Sequence, residues 1–258
     1  MSTVELDHEF VGPPDAPVLV LAGSLGSTRS MWDPQVAALR DRFRVLRYDH
    51  RGHGGSPVPT GPYTMEDLAS DALALLDRLD VERAAFCGLS LGGMVGMWLG
   101  AHAPERLSAL VLCCTSAHFS DPAQWQQRTE TVRVDGTGAI ADAVVARWFT
   151  PEWARAHPEQ VDRAMAMVTD TPDEGYAGCC EAIGAWDGRD LLGRITLPTL
   201  VLAGANDPAT PVTPHAETIA SGIPRARLEV LDDAAHLATL QQPQRANALI
   251  AEHLAAAA

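Results

Sequence analysis

Short runs rich in apolar residues recur along the chain, and each is followed by a polar loop and then by a sequence with helical periodicity. Runs of this length are typical of strands that are buried on both faces of a sheet. Their regular alternation with helices predicts an α/β fold, in which a mostly parallel central sheet carries helices on both faces. The runs lie at residues 18–22, 44–48, 83–88, 109–113, 197–203 and 226–231.

Other periodic segments complete the predicted elements. Apolar and polar residues alternate from Val4 to Phe10, which predicts an edge strand. Thr64 begins the sequence T-M-E-D, which is typical of a helix N-terminus with a capping box, and an amphipathic stretch with an apolar face follows it. Further helices are predicted at residues 33–40, 94–102, 214–220 and 244–254.

Between residues 118 and 194 the alternation of strand and helix stops, and the pattern becomes helical and rich in Trp and Met. We interpret this segment as a helical lid inserted into a core formed by residues 1–117 and 195–258. An aromatic lid can form the roof of a ligand pocket or can pack against its own base, and the sequence leaves both readings open. The Trp residues of the segment are Trp125, Trp148, Trp153 and Trp186.

Composition narrows the classes of partner and cofactor. At 258 residues, 47% of them hydrophobic, the chain suits one α/β domain with an insertion. The formal net charge of −14 repels phosphate backbones and anionic lipids, which argues against nucleic acid and membranes as partners. All 19 basic residues are Arg, so Schiff-base lysines, pyridoxal phosphate attachment and the P-loop lysine are excluded. The oligomeric state is not readable from these features.

The five cysteines are an odd number without a C-x-x-C motif, which predicts buried free thiols in a reducing compartment. The first apolar run is too short for a signal sequence and has no basic residue before it, so we expect a cytoplasmic protein. His50 and His53 share one loop but lack a third nearby ligand. We therefore expect them to make hydrogen bonds, and we expect no metal site.

The stretch R-A-A-F-C-G-L-S-L-G-G, residues 83–93, predicts a strand, a sharp turn and a helix. Gly88 and Gly92 allow neighbouring backbone to approach a turn that presents Ser90 above the sheet. The following helix directs its N-terminus at the turn, so the N–H of Leu91 can stabilise a developing oxyanion. This pattern is typical of a nucleophile elbow, with Ser90 as the nucleophile.

An acid and a histidine lie in the loops that follow two further predicted strands. Asp207 follows residues 197–203, and His236 follows residues 226–231. Since the carboxyl ends of parallel strands meet at one edge of a sheet, we predict that Ser90, Asp207 and His236 form a catalytic triad. His236 is the expected general base, and Asp207 is expected to orient its imidazole. The order Ser, acid, His is that of the α/β hydrolases.

Rival members of the triad are less well placed. Asp232 and Asp233 share a turn with His236, which favours a role in forming that turn. His102 and His215 lie on predicted helices instead of in loops at strand ends.

With these features the chain resembles the α/β-hydrolase family over nearly its whole length, and most closely its branch of 3-oxoadipate enol-lactonases of aromatic catabolism. The similarity within the predicted lid carries most weight, because lids differ between activities while core motifs are shared. Two departures are visible: Gly23-Ser24-Leu25 stands where many hydrolases have His-Gly-x, and the N-terminal hairpin is shortened. The matching stretches are S-L-G-S-T-R-S-M-W, G-L-S-L-G-G-M, R-W-F-T-P, G-Y-A-G-C-C-E-A-I, A-G-A-N-D-P-A-T-P and A-A-H-L.

The resemblance implies a reaction. Ser90 would attack the ring carbonyl of an enol-lactone, with the N–H groups of Leu25 and Leu91 as the oxyanion hole. Water activated by His236 would then hydrolyse the acyl-enzyme, and no metal or organic cofactor is needed. The partners implied are a small acidic lactone or ester and water.

A carboxylate-bearing substrate needs local positive charge in a protein with this net charge. Lid arginines are the candidates, because a guanidinium binds a carboxylate with two hydrogen bonds and stays charged. Two of them stand close to a Trp that could form a pocket wall. The candidate substrate-binding residues are Trp125, Arg128, Arg133, Arg147 and Trp148.

Alternative functions remain open at this point. Another serine hydrolase of the same fold would share these core motifs, and an esterase, a carbon–carbon bond hydrolase and a cofactor-free haloperoxidase are the examples. A non-catalytic receptor with the same pocket is disfavoured by the intact triad. Serine at the elbow argues against dehalogenases and epoxide hydrolases, which place Asp there.

Overall fold

The computed structural model describes residues 2–257, and within them one seven-stranded sheet forms the centre of the fold. The strands are β1 (His8–Val11), β2 (Val18–Ala22), β3 (Arg44–Tyr48), β4 (Ala84–Leu89), β5 (Leu107–Cys113), β6 (Thr199–Gly204) and β7 (Ala226–Leu231). Their order in the sheet is β1-β3-β2-β4-β5-β6-β7. Only β1 is antiparallel to its neighbour, and the other paired strands are parallel. The predicted fold class is confirmed.

Helices join the strands, as the sequence pattern predicts. They are α1 (Asp33–Leu39), α2 (Met65–Arg78), α3 (Leu91–His102), α4 (Ala123–Asp135), α5 (Gly138–Trp148), α6 (Pro151–Ala156), α7 (Pro158–Thr169), α8 (Asp173–Gly184), α9 (Glu217–Gly222), α10 (Ala238–Gln241) and α11 (Pro243–Ala257). The capping box predicted before α2 is present, since the side chain of Thr64 accepts from the N–H of Asp67, whose carboxylate accepts from the N–H of Thr64.

The register of the strands places the loops at their carboxyl ends next to one another. Ala22 at the end of β2 pairs with Gly88 near the end of β4, and Gly204 at the end of β6 pairs with Leu231 at the end of β7. The loop after β2 therefore lies beside the turn after β4, and the loops that carry Asp207 and His236 are neighbours.

Several predicted boundaries differ from the structure by up to four residues. The edge strand begins at His8 instead of near Val4, because side chains satisfy the backbone before it: the N–H of Val4 donates to Asp71 at 2.8 Å. The helix predicted from residue 214 does begin there: Thr213 has extended backbone angles (φ −101°, ψ 122°), and the helical backbone that follows it continues into α9.

Between β5 and β6 the chain forms the five helices α4–α8, of which α4 and α8 pack against each other. This segment coincides with residues 118–194, whose role as a lid stays a prediction. Met1 and Ala258, which the predicted core includes, lie outside the described residues.

The core of the sheet and its helices is apolar, with Trp32 and Phe86 among its largest fully buried side chains. All five cysteines are buried free thiols, as predicted. Within residues 2–257, no helix combines the length and apolar character that a membrane span needs.

Candidate active site

Ser90 lies in a sharp turn between β4 and α3. Its backbone angles, φ 56° and ψ −110°, are ones that residues other than glycine seldom adopt. A Cβ on Gly88 would lie 2.1 Å from the carbonyl oxygen of Gly92, and a Cβ on Gly92 would lie 2.2 Å from the carbonyl oxygen of Ala22. Glycine is therefore required on both sides of Ser90.

Hydrogen bonds to the end of β5 hold this strained turn. The N–H of Ser90 donates to the carbonyl oxygen of Cys113 at 2.9 Å, and the hydroxyl of Thr115 donates to the carbonyl oxygen of Ser90 at 2.7 Å. Both peptide groups that flank the Ser90 side chain are thus fixed, so the direction of its Cβ is set by the sheet.

Asp207 and His236 meet across the loops that follow β6 and β7. Oδ2 of Asp207 lies 2.8 Å from Nδ1 of His236, and both side chains are buried. The other oxygen, Oδ1, accepts from the N–H groups of Ala209 at 2.8 Å and Thr210 at 3.1 Å. The hydroxyl of Thr210 donates to Oδ2 at 2.7 Å. Four hydrogen bonds therefore orient this carboxylate.

The electrostatics of the pair fix its protonation. Burial by itself would raise the pKa of Asp207, but the neighbouring His236 and the hydrogen bonds from His236 and Thr210 outweigh it and lower the pKa to about 2. Asp207 is consequently ionised at neutral pH and can only accept. In the neutral form of the His236 ring the proton therefore lies on Nδ1, which leaves the lone pair on Nε2.

The two proposed oxyanion donors lie in adjacent segments. Leu91 is the first residue of α3, and Leu25 lies in the loop after β2. The N–H of Gly92 donates to the carbonyl oxygen of Gly23 at 3.0 Å, which joins the start of α3 to this loop. In the described part of the chain, neither the N–H of Leu25 nor that of Leu91 donates a hydrogen bond to the backbone of a loop or of another element. Both groups are therefore free to bind a ligand.

His50 and His53 make hydrogen bonds to the loop that carries Leu25, in agreement with the sequence-based expectation. Nε2 of His50 lies 3.1 Å from the carbonyl oxygen of Gly23, and Nε2 of His53 accepts from the N–H of Gly26 at 2.9 Å. Burial lowers the pKa of His50 to about 3 and that of His53 to about 4, so both rings are neutral. Among the described residues, no group of three or more metal-binding side chains is suitably placed for an ion.

Ser90 and His236 line one cavity of about 240 Å³, a size that suits a small molecule. Four of the five candidate substrate-binding residues line it too, namely Trp125, Arg128, Arg147 and Trp148. The remaining lining residues include Ser24, Leu25, Met94, Phe119, Gln124, Val144, Tyr176, Ile183, Thr210 and His215.

Arg128 and Arg147 give this cavity a positive wall. Neither forms a salt bridge to a carboxylate in the described part of the chain. The Arg128 guanidinium stacks at 4.8 Å from the ring centroid of Trp125. Burial, followed by the charge of Arg128, lowers the pKa of Arg147. The two guanidinium groups therefore repel each other, and an anion bound between them can neutralise their positive charge.

Arg133 is not brought to the cavity, which corrects the sequence-based candidate set. Its guanidinium forms ion pairs with Glu174 at 3.1 Å and with Glu181 at 2.7 Å, both on α8. These two carboxylates compensate the charge of Arg133 and hold it on the surface of the α4–α8 pair. Arg133 is therefore not placed to contact a ligand in this cavity.

Sequence reasoning missed other residues of the site. His215, set aside because of its predicted helix, lines the cavity with Nδ1 2.7 Å from the hydroxyl of Ser116. Tyr176 also lines it, and the G-Y-A-G-C-C-E-A-I stretch was the signal that could have indicated this residue. By contrast His102, the other rival, bonds the carbonyl oxygen of Trp98 within α3.

Comparison with known proteins agrees with this architecture. The family model described as the alpha/beta hydrolase fold matches residues 16–243. A curated relative from Acinetobacter baylyi, 3-oxoadipate enol-lactonase 2, is 41% identical over 95% of this chain and 91% of its own length. The crystal structure of an enol-lactonase from Burkholderia xenovorans is 40% identical with a TM-score of 0.95, covering 98% of this chain and 97% of that one. An esterase from Thermogutta terrifontis is 34% identical with a TM-score of 0.92, covering 98% and 94% of the two chains.

Proposed function

Because the chain belongs to the α/β hydrolase family, we propose that it is a serine hydrolase that opens 3-oxoadipate enol-lactone to 3-oxoadipate, a reaction of aromatic catabolism. The observation that carries this proposal is the combination of charges in one cavity. A serine on a strained turn and a histidine paired with a buried carboxylate share it with two guanidinium groups that lack carboxylate partners. A neutral ester does not need the second feature, whereas an acidic lactone does.

The positions of these groups support the following acylation step. Oγ of Ser90 attacks the ring carbonyl carbon while Nε2 of His236 takes the hydroxyl proton. Asp207 stabilises the imidazolium that forms, through its 2.8 Å hydrogen bond to Nδ1. The carbonyl oxygen becomes an oxyanion that the N–H groups of Leu25 and Leu91 bind, aided by the N-terminus of α3.

Collapse of the tetrahedral intermediate breaks the ring C–O bond, and His236 returns its proton to the departing enol oxygen. The enol tautomerises to a ketone, which makes ring opening strongly favourable. A water molecule then loses a proton to His236 and attacks the acyl-enzyme carbonyl. The ester bond to Ser90 breaks, the serine oxygen regains the proton, and the dicarboxylate product leaves.

Arg128 and Arg147 are proposed to bind the substrate carboxylate. The anion would relieve the repulsion between the two guanidinium groups and receive charge-assisted hydrogen bonds from them. Trp125 and Trp148 would form apolar walls beside this subsite, since both line the cavity. The subsite would thereby hold the lactone with its carbonyl facing Ser90.

Residues 118–194 are proposed to act as the lid of the site, because they supply Trp125, Arg128, Arg147 and Trp148 to the cavity.

The cytoplasm is the proposed location of the protein. Five buried free cysteines suit a reducing compartment.

A comparison of substrates tests the proposed function. Purified protein is assayed with 3-oxoadipate enol-lactone and with p-nitrophenyl acetate, and kcat/KM is compared. We expect a preference for the enol-lactone, with turnover of both substrates lost in Ser90→Ala. A preference for the acetate ester would identify a general esterase, and an active Ser90→Ala variant would contradict the serine hydrolase itself.

A further inference from the structure

His53 is completely buried against the loop that carries Leu25, and its hydrogen bonds define one state of its ring. Nε2 accepts from the N–H of Gly26 at 2.9 Å, and Nδ1 lies 3.2 Å from the carbonyl oxygen of Arg51. An amide N–H can only donate and a carbonyl oxygen can only accept. The ring is therefore neutral and carries its proton on Nδ1.

The bond to Gly26 fixes the peptide plane on one side of Leu25. On the other side, the carbonyl oxygen of Gly23 accepts from the N–H of Gly92 at 3.0 Å and contacts Nε2 of His50 at 3.1 Å. The Ser24–Leu25 peptide between these two points is held through the carbonyl oxygen of Ser24, which accepts from the N–H of Ser27 at 3.1 Å and from its hydroxyl at 2.8 Å. This turn includes Gly26, so its geometry, and with it the direction of the Leu25 N–H, also depends on the anchor that His53 supplies.

Helix α8 leaves this arrangement little room to change. A Cβ on Gly26, whose φ is +74°, would lie 2.9 Å from the ring of Tyr176. A Cβ on Gly52, the residue before His53, would lie 2.3 Å from the Cα of Gly175. If the acceptor at His53 were absent, the N–H of Gly26 would be buried without a partner, and the loop would have to rearrange to satisfy it.

We propose that His53 is a positioning residue for the oxyanion hole, because its ring nitrogen holds the Gly26 amide and so directs the N–H of Leu25 at the developing oxyanion. This role rests on the proposed function, in which Leu25 binds that oxyanion. It concerns the acyl-transfer step and not the recognition of the carboxylate. It therefore applies equally to the enol-lactone and to a neutral ester.

Substitutions at His53 separate the effect of losing the hydrogen-bond acceptor from the effect of losing side-chain volume. His53→Leu fills the space without an acceptor, and we expect kcat to fall about 10- to 100-fold on both substrates while KM changes by less than about twofold. His53→Gln retains an acceptor within reach of Gly26, and we expect kcat within about threefold of the wild type. His253→Gln is the matched control, since it changes another buried histidine bonded to a backbone carbonyl, that of Leu110 at 3.0 Å. We expect it to lower Tm without changing kcat.

Binding measurements distinguish positioning from a general loss of structure. A trifluoromethyl ketone forms an anionic tetrahedral adduct with the serine, whereas adipate imitates only the bound product. We expect His53→Leu to weaken ketone inhibition by the same factor as kcat/KM and to leave adipate affinity unchanged. Equal losses for both ligands, or unchanged kcat in a folded His53→Leu protein, would overturn the proposal.

A second pair of variants decides the question if His53→Leu does not fold. The side chain of His53→Asn is too short to reach Gly26, so we expect it to lose kcat relative to His53→Gln. Equal kcat for this pair would overturn the role of His53. Failure of the proposed function would instead appear in the wild-type protein, as the absence of turnover that depends on Ser90.

Discussion

The hydroxyl of Thr210 donates to Oδ2 of Asp207 at 2.7 Å, the same oxygen that lies 2.8 Å from Nδ1 of His236. The Thr210 side chain is buried, so no water can take over this bond without entering the site. The orientation of the Asp207 carboxylate relative to the imidazole thus depends on a residue three positions further along the same loop.

Replacing this hydroxyl tests its contribution. We expect Thr210→Val to lower kcat by roughly tenfold, because a hydrogen bond to a charged group contributes about 1.5–3 kcal/mol. Steady-state kinetics would measure this loss. Thr131→Val is the control, since the Thr131 hydroxyl bonds the carbonyl oxygen of Gln127 within α4 and does not line the cavity. Unchanged kcat in Thr210→Val would show that the backbone N–H groups suffice to orient Asp207.

The proposed triad predicts non-additive losses. Ser90→Ala and His236→Ala should each lower kcat by a factor on the order of 10⁴ to 10⁶, and the double variant should lose little more, because nucleophile and base act as one unit. Asp207→Asn should lose somewhat less. Kinetics of the four variants would measure these factors, and near-complete activity of Asp207→Asn would transfer the role of the acid to another residue.

The two cavity arginines predict a selective effect on acidic substrates. We expect Arg128→Ala or Arg147→Ala to raise KM for the enol-lactone by roughly tenfold or more and to leave neutral esters nearly unaffected. Arg133→Ala is the control from the same helical segment, because its charge is already paired with Glu174 and Glu181. Equal losses on acidic and neutral substrates would mean that Arg128 and Arg147 only support the lid.

The buried neutral histidines predict a dependence of stability on pH. The pKa values of His50 and His53 fall from 6.5 in the unfolded chain to about 3 and about 4 in the folded protein. Between pH 6.5 and pH 4 the unfolded chain therefore binds protons that the folded protein does not. The free energy of unfolding should decrease as the pH falls below 6.5, by up to about 1.4 kcal/mol per pH unit for each histidine.

Urea unfolding between pH 5 and pH 7.5 would measure this slope. We expect His53→Gln to reduce the slope by up to about 1.4 kcal/mol per pH unit, which corresponds to one proton, because one of the two histidines is removed. A slope that is identical in wild type and variant would contradict a neutral, buried His53.

Much of the fold follows from local sequence. The runs at residues 18–22, 44–48 and 226–231 match β2, β3 and β7 residue for residue. β2 is an unbroken apolar run, as a strand buried on both faces requires, whereas β7 lies at the edge of the sheet and contains Arg227 and Glu229. Ser90, Asp207 and His236 could be predicted as the candidate triad because each follows a strand, and the carboxyl ends of parallel strands lie at one edge of the sheet. The need for glycine at positions 88 and 92 was also predictable, since the turn around Ser90 leaves no room for a Cβ at either position.

Only the tertiary structure decided which side chains from distant segments meet. Arg128 and Arg133 lie on the same helix, yet one faces the cavity and the other pairs with acids of α8. Likewise, His53 and Gly26 are 27 residues apart, and no local pattern indicates their hydrogen bond. Periodicity and turn chemistry act over a few residues, whereas these contacts depend on how α4, α8 and the loops pack, which is set by the whole chain at once.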